Sequence, residues 1–292
     1  MTGGQVGDDR AVGHISDTAH LVAIYRAMET ERPDAIFRDP YARRLGGTRG
    51  EQVVAALPNG RASAWALIVR TAVLDEIIRE RVAGAGVDLV VNFAAGLDTR
   101  PWRLDLPPTL RWVDVDLPAI LQYKTEQLRG ETPRCRYETV AVDLTDATKR
   151  HALLTQLGAS ATRALVITEG LLVYLEAAQV TELARAFHAV PSFRWWLTDL
   201  TNTRLLRMLQ KQWNPTLAKG NAPMQFAVDD AAAFFGPLGW RVQQFRSAME
   251  EARRLDREMR GAWFYRFLMR IAPKEKREEA RRMSGFALLE RE

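Results

Sequence analysis

Short apolar runs alternate with amphipathic stretches along most of the chain. The run Leu89-Val90-Val91-Asn92-Phe93 is β-branched and nearly continuous in its apolarity, as expected of a strand buried on both faces of a parallel sheet. Further strand-like runs follow at 110–116, 137–142, 164–168 and 194–197, and each of the five ends at an acid or an acid-adjacent turn. Helical patterns lie between them at 119–128, 151–157 and 176–190, with Pro118 well placed at a helix start. This alternation predicts an open α/β sheet with its ligand crevice outside the carboxyl ends of the strands.

Upstream, 63–82 carries an apolar stripe of Trp65, Ile68, Val69, Ala72, Val73, Ile77 and Ile78, with Arg70 off it and Gly84 and Gly86 closing the helix. Before it, Ser16 or Asp17 caps a helix bearing Leu21, Ile24, Tyr25 and Met28, which Pro33 stops. Asp39-Pro40 then opens another, short helix. Residues 1–86 therefore read as an N-terminal helical cap on a sheet domain, 87–292. Within that domain the stretch 201–230 breaks the alternation and mixes Met208, Trp213, Met224 and Phe226 with polar residues. A substrate-facing lid and an ordinary surface helix and loop fit it equally. Trp240–Phe245 and Ser284–Leu289 read as two further strands around a charged helical region. There, at helical spacing, Trp263-Phe264-Tyr265-Phe267 suggests core or interface.

The most informative chemistry lies between the first two strands. Ala94-Ala95-Gly96 turns the chain, Asp98 stands beside that turn, and Asp116 ends the next strand twenty residues after Gly96, where nucleotide-binding folds place the acid that holds a ribose. A dinucleotide site would need G-x-G-x-x-G opening a helix to cradle a pyrophosphate. Here there is one glycine, and the Asp98 carboxylate would repel a pyrophosphate while suiting a cationic ligand such as S-adenosylmethionine. An ordinary strand and turn with a surface aspartate fits the turn alone as well.

Composition narrows the picture. At 292 residues and 47% hydrophobic content the chain can bury a large core, and no apolar run is long enough to span a bilayer. The first eleven residues lack the pattern of a signal peptide, and a single cysteine, Cys135, fits a reducing, cytoplasmic setting better than a disulfide scaffold. The net charge of +5 is concentrated in 250–282, where eleven basic and seven acidic residues interleave as on a solvated helix. The four histidines, His14, His20, His151 and His188, are isolated, so no metal site is expected. The expected partner is a small-molecule acceptor, with neither nucleic acid nor membrane involved; the 263–267 aromatics offer a homodimer contact.

Five ordered segments carry a family resemblance: RAMETERPDAIFRDPYA, VVNFAAGLDTRPWRL, WVDVDLP with Lys124 beyond it, AVDLTD and LVITEGLLVYL. Together they resemble the leucine carboxyl methyltransferase-like family of class I S-adenosylmethionine-dependent methyltransferases, which includes protein carboxyl methyltransferases and bacterial enzymes of polyketide and other small-molecule metabolism. The resemblance implies a Rossmann-like seven-stranded sheet whose last strand is antiparallel. It also implies roles: Arg70 for the methionine carboxylate of the cofactor, Ala94, Gly96 and Asp98 for the cofactor turn, Asp116 for the ribose, Asp143 and Leu144 beside the adenine, and Glu169 near the methionine amino group. Arg26 would cover the cofactor from the N-terminal segment. The family often has Gly where Ala94 stands, which narrows the backbone approach. Tyr174, Asp199 and His188 are the residues near the crevice able to handle an acceptor proton, and no spacing singles one out; alignment without a dedicated base is equally consistent. The activity expected is O-methylation of a small secondary-metabolite-like acceptor. The alternatives are N- or C-methylation of a small aromatic metabolite, protein carboxyl methylation, a non-catalytic cofactor-binding protein and, last, an NAD-dependent oxidoreductase.

Overall fold

The computed structural model describes residues 15–57, 59–217 and 223–292. Expectations placed on His14, on the side chains of Ser16 and Trp213 and on positions 218–222 lie outside the described residues. Seven strands form one sheet in the order β3-β2-β1-β4-β5-β7-β6. Its parallel part is β1 (Leu89–Phe93), β2 (Arg111–Asp116), β3 (Arg136–Ala141), β4 (Ala164–Thr168) and β5 (Phe193–Thr201). The strand β7 (Ser284–Arg291) runs antiparallel between β5 and β6 (Trp240–Ser247), as the resemblance implied. Only β5 departs materially from the pattern-based bounds: it continues through Asp199 to Thr201, so that acid lies within a strand instead of closing one.

Helices cover both faces, which is why the central strands are largely apolar on both, with Asn92 and Asp114 among the buried exceptions. On one face Val69, Val73, Ile77 and Ile78 of α3 (Ala64–Gly84) meet Val90, Trp112, Leu165 and Leu197 of the sheet. On the other, Leu153 and Leu157 of α6 (Ala147–Ala159) and Val180, Leu183 and Phe187 of α7 (Ala177–His188) pack on Val91, Val113 and Val166. The short α4 (Arg100–Arg103) follows the first turn, and α5 (Pro118–Gln127) follows β2 with Pro118 at its start.

The first two helices close the carboxyl end of the sheet. Leu21, Ile24 and Tyr25 of α1 (Ile15–Thr30) pack with Ile68 and Ala72 of α3 and with Leu206 of α8 (Thr203–Leu217). Asp17 falls in the first turn of α1, with the helix starting ahead of it. The short helix expected after Pro40 opens α2 (Ala42–Ala56), which is two helical pieces joined at a kink where Gly47 takes a φ of 56°. Its glycines are a packing device: a Cβ at Gly46 would come within 2.5 Å of Ile24 Cδ1, so their absence of side chain lets α1 and α2 touch backbone to side chain. After α8, the short α9 (Ala231–Phe235) leads into β6. Three helices, α10 (Ala248–Arg254), α11 (Ala262–Ile271) and α12 (Lys274–Arg281), then fill the connection to β7.

Candidate active site

At the carboxyl end of β1 the chain must reverse within three residues, and Ala94 takes a left-handed φ of 53° to do so. That conformation costs a residue with a Cβ roughly 1–2 kcal/mol, which glycine would escape. The reversal aims the Gly96 amide at Asp116 at the end of β2, whose carboxylate accepts it at 2.6 Å and accepts the Leu117 amide at 2.7 Å. Burial raises the Asp116 carboxyl above its ordinary value even though both amides oppose the shift.

Asp98 behaves differently from the free carboxylate that the sequence suggested. It is buried and accepts from Asn92 Nδ2 at 3.0 Å, from the Arg100 amide at 2.8 Å and from Arg100 Nη1 at 2.6 Å. Burial alone would raise this carboxyl, but Arg100, Lys124 and Arg103 outweigh it and hold Asp98 well below the usual carboxylate range. Its charge is thus already answered from within the protein.

Arg100 is the centre of the arrangement and only 2% exposed. Its guanidinium also reaches Asp75 on α3 at 2.7 Å and Glu169, after β4, at 2.7 Å. Glu169 passes the chain of charges on to Arg70 at 2.8 Å, and Arg70 to Asp199 on β5 at 3.2 Å. In the other direction Asp75 pairs with Arg103, which lies 3.9 Å from Asp39; Asp39 in turn pairs with Arg26 at 2.8 Å. Arg26 also donates to the Leu97 carbonyl at 2.6 Å, fastening α1 over the turn. Four guanidiniums therefore face five carboxylates in one connected lattice, leaving a single negative charge in excess. The five acids of the lattice are therefore nearly compensated, while Asp116 and Asp143 line the same cavity with only neutral donors, among the described residues, on their carboxylates.

Gly170, at φ +65°, belongs to this device. A Cβ there would sit 3.1 Å from Arg70 Nη1, so a side chain would crowd the guanidinium as well as strain the backbone. The Gly170 amide donates to Asp199 at 2.6 Å. Arg70 Nη2 has no hydrogen-bond acceptor among the described residues, although Nε and Nη1 are engaged.

A cavity of about 1130 Å³ runs along this rim. Arg26, Arg70, Ala94, Gly96, Asp98, Asp116, Asp143, Leu144, Glu169, Tyr174 and Asp199 all line it. Asp143 is exposed and held by the Thr145 amide at 2.9 Å, which lowers its carboxyl below the ordinary value. Tyr174 sits on a single 3-10 turn, Leu172–Tyr174, and burial raises its phenol. His188 does not join them: it ends α7 and packs its ring against Trp240, with centroids 5.9 Å apart. Away from the charged lattice the wall is apolar, with Met208 and Leu209 of α8, then Met224, Phe226 and, from α11, Tyr265.

Sequence reasoning did not single out Arg100, Arg103, Asp75 or Asp39. Asp75 had a signal: an acid among Val73, Leu74, Ile77 and Ile78 on a helix face that is otherwise apolar needs a buried partner. Arg100 had none, since an arginine in a polar turn is ordinarily solvated.

Against known proteins, the family model described as leucine carboxyl methyltransferase matches residues 19–188. A Streptomyces coelicolor protein, provisionally described as an S-adenosyl-L-methionine-dependent methyltransferase, is 38% identical over 172 residues, or 54% of this chain and 59% of that protein. A Streptomyces avermitilis relative is likewise matched over 59% of its length, so the similarity spans little more than half of these two proteins. A Parafrankia sp. relative with the same description is 32% identical over 89% of this chain and 88% of its own length. A crystal structure of a DUF574 family protein from Streptomyces avermitilis superposes with a TM-score of 0.61 at 13% identity, over 97% of this chain and 99% of that one. One from Thermobifida fusca, provisionally described as a methyltransferase, gives 0.59 at 14% over 99% and 100%. At such identities the two structures speak for the fold alone. The fold is the α/β fold of these two structures, and the relatives are described as S-adenosyl-L-methionine-dependent methyltransferases. The chain belongs to the leucine carboxyl methyltransferase family.

Proposed function

We propose that this protein transfers the methyl group of S-adenosylmethionine to an oxygen of a small, largely apolar acceptor. One observation carries the reading: a single cavity joins the acid- and arginine-lined rim to a wall of Met208, Leu209, Met224, Phe226 and Tyr265. A charged cofactor fits the first part and an apolar acceptor the second.

The residues present fit S-adenosylmethionine. The lattice leaves one negative charge in excess and Asp116 and Asp143 stand beside it without a paired cation among the described residues, which suits a cofactor of net positive charge, and Arg70 Nη2 is open to a carboxylate. On this reading Arg70 takes the methionine carboxylate, Glu169 lies by the amino group, Asp116 accepts from the ribose hydroxyls, and Asp143 and Leu144 flank the adenine. When bound, the cofactor supplies an electrophilic methyl on a sulfonium already activated for displacement. The protein's task is then to align the acceptor and exclude water, which can supply roughly 7–11 kcal/mol. Tyr174, a phenol that is protonated at neutral pH even unshifted and that burial raises further, donates a hydrogen bond that orients the acceptor oxygen. Asp199, fixed by Gly170 and Arg70, takes the acceptor's proton where there is one.

The family's name favours a second reading, transfer to a carboxyl group at the end of a peptide chain. Calorimetry of the dialysed full chain with S-adenosylmethionine, followed by a labelled-methyl screen of phenols, small carboxylic acids and tail peptides, separates the two. Heat of binding with label on a small oxygen nucleophile is the expected result. Label confined to peptides would select the second reading, and absence of binding heat would remove both.

A further inference from the structure

The sequence pattern suggested that the aromatic patch at 263–267 belongs to a core or an interface, and the structure excludes the core. Helix α11 sets only Ala262 into the protein fully, and its Tyr265 lines the cavity. Trp263, Phe267 and Ile271 are 68%, 58% and 72% exposed, and Phe264 and Leu268 are exposed beside them. At 100° per residue these five fall within one arc of about 140°, a continuous apolar face turned outward. Exposed apolar residues gathered on this scale mark a contact surface and not ordinary scatter.

The charges around that face decide what it meets. From 260 to 277 there are six basic residues and one acid. No acid lies on α11 itself, and Arg260, Arg270, Lys276 and Arg277 have no ion-pair partner among the described residues. A two-fold contact with a second copy would set this same cationic patch against itself, which is repulsive. A sheet of anionic lipid headgroups is complementary, and a helix with Trp, Phe and Leu on one side and Arg and Lys at its flanks is suited to lie in the headgroup plane.

We propose that α11, with the basic start of α12, is an interfacial helix that seats the protein on an anionic lipid bilayer. This contact is peripheral: among the described residues no helix is long and apolar enough to cross a membrane. It revises the expectation of no membrane partner, which weighed only spanning segments. Because α11 carries Tyr265 into the cavity wall, a seated protein would turn the acceptor side of the cavity towards lipid. The inference does not rest on the acceptor reading above, since it concerns binding and not turnover.

Flotation of the full chain with vesicles tests it. Vesicles of phosphatidylcholine with one quarter phosphatidylglycerol should carry the protein upward, and pure phosphatidylcholine vesicles should carry far less. Arg270→Gln with Arg277→Gln should lower partitioning roughly fivefold per charge removed, and raised salt should act the same way. Trp263→Ser with Phe267→Ser should abolish flotation while circular dichroism and S-adenosylmethionine binding heat stay unchanged, since both side chains are exposed. No flotation with anionic vesicles, equal flotation with neutral ones, or full retention by the Trp263→Ser, Phe267→Ser variant would overturn the proposal. So would a dimer in sedimentation that this variant dissolves, because the face would then be occupied by a second copy.

Discussion

The two halves of the cavity are held in opposite ways. On the donor side Arg26, Arg70, Arg100 and Arg103 lock five carboxylates from β5, α3 and the loops after β1, β4 and α1 into one lattice. On the other side Met208, Leu209, Met224 and Phe226 line an apolar wall with no ion pair in it among the described residues, held by neutral hydrogen bonds: Gln210 donates to the Met224 carbonyl at 2.8 Å, and the Gln225 and Phe226 amides donate to the Val173 carbonyl at 2.7 and 3.2 Å. Charges inside a protein must be fixed, because a buried charge that loses its partner costs several kcal/mol. Methionines need not be, since their flexible thioethers repack around differing shapes. On the proposed function, the contrast separates a half shaped for one donor from a half able to take acceptors of differing shape.

The largest test of this contrast is Arg100→Met. It strands Asp75, Asp98 and Glu169, and should lower stability by about 3–5 kcal/mol, read from the urea midpoint. The sign with pH follows from the depressed Asp98 and Glu169 carboxyls, for which burial raises the pKa but Arg100 and the other cations win. Their contribution is complete above the unfolded value near pH 4, and is lost as pH falls through the folded values. Without Arg100 the folded values rise, so acid unfolding should begin at higher pH. An unmoved midpoint would show that the lattice is not what holds the donor side.

Asp116→Ala, at the edge of that lattice, should weaken S-adenosylmethionine binding roughly 10- to 100-fold by calorimetry, the worth of hydrogen bonds to a charged acceptor. On the other side Met208→Ala, at an exposed position on the cavity edge, should raise the acceptor KM about two- to fivefold and leave donor affinity alone. An equal change in both constants would erase the division between halves. The smallest effect belongs to Ala94→Gly. Relief of the left-handed strain, partly offset by glycine's freer unfolded chain, should raise Tm by about 1–2 °C.

Much of the architecture was legible because its signals are local. β1 and β4 were bounded to the residue by their apolar runs, whereas the pattern only set Arg70 off an apolar helix stripe and the resemblance alone singled it out. The resemblance brought Asp116, Asp143, Leu144 and Glu169 to one rim, and the structure lines one cavity with all four. The second piece of α2 was not legible: Gly46 and Gly50 have poor helix propensity, Gly47 kinks the chain between the two pieces, and the close approach of α1 at Gly46 and Gly50 is a tertiary contact. Nor was the distance between His188 and the cavity, since helix direction decides which end of α7 faces the crevice.

By itself, then, the order of apolar and polar residues determined the sheet, the helices over it and the turn where the cofactor chemistry gathers, for these depend on neighbours a few positions apart. Only the tertiary structure decided that Asp98 is a compensated charge and Arg100 its keeper, that Asp199 stands inside a strand, and that the aromatics of α11 face outward. Those outcomes turn on which residues, dozens of positions apart, share a low-dielectric interior, and no local pattern encodes that meeting.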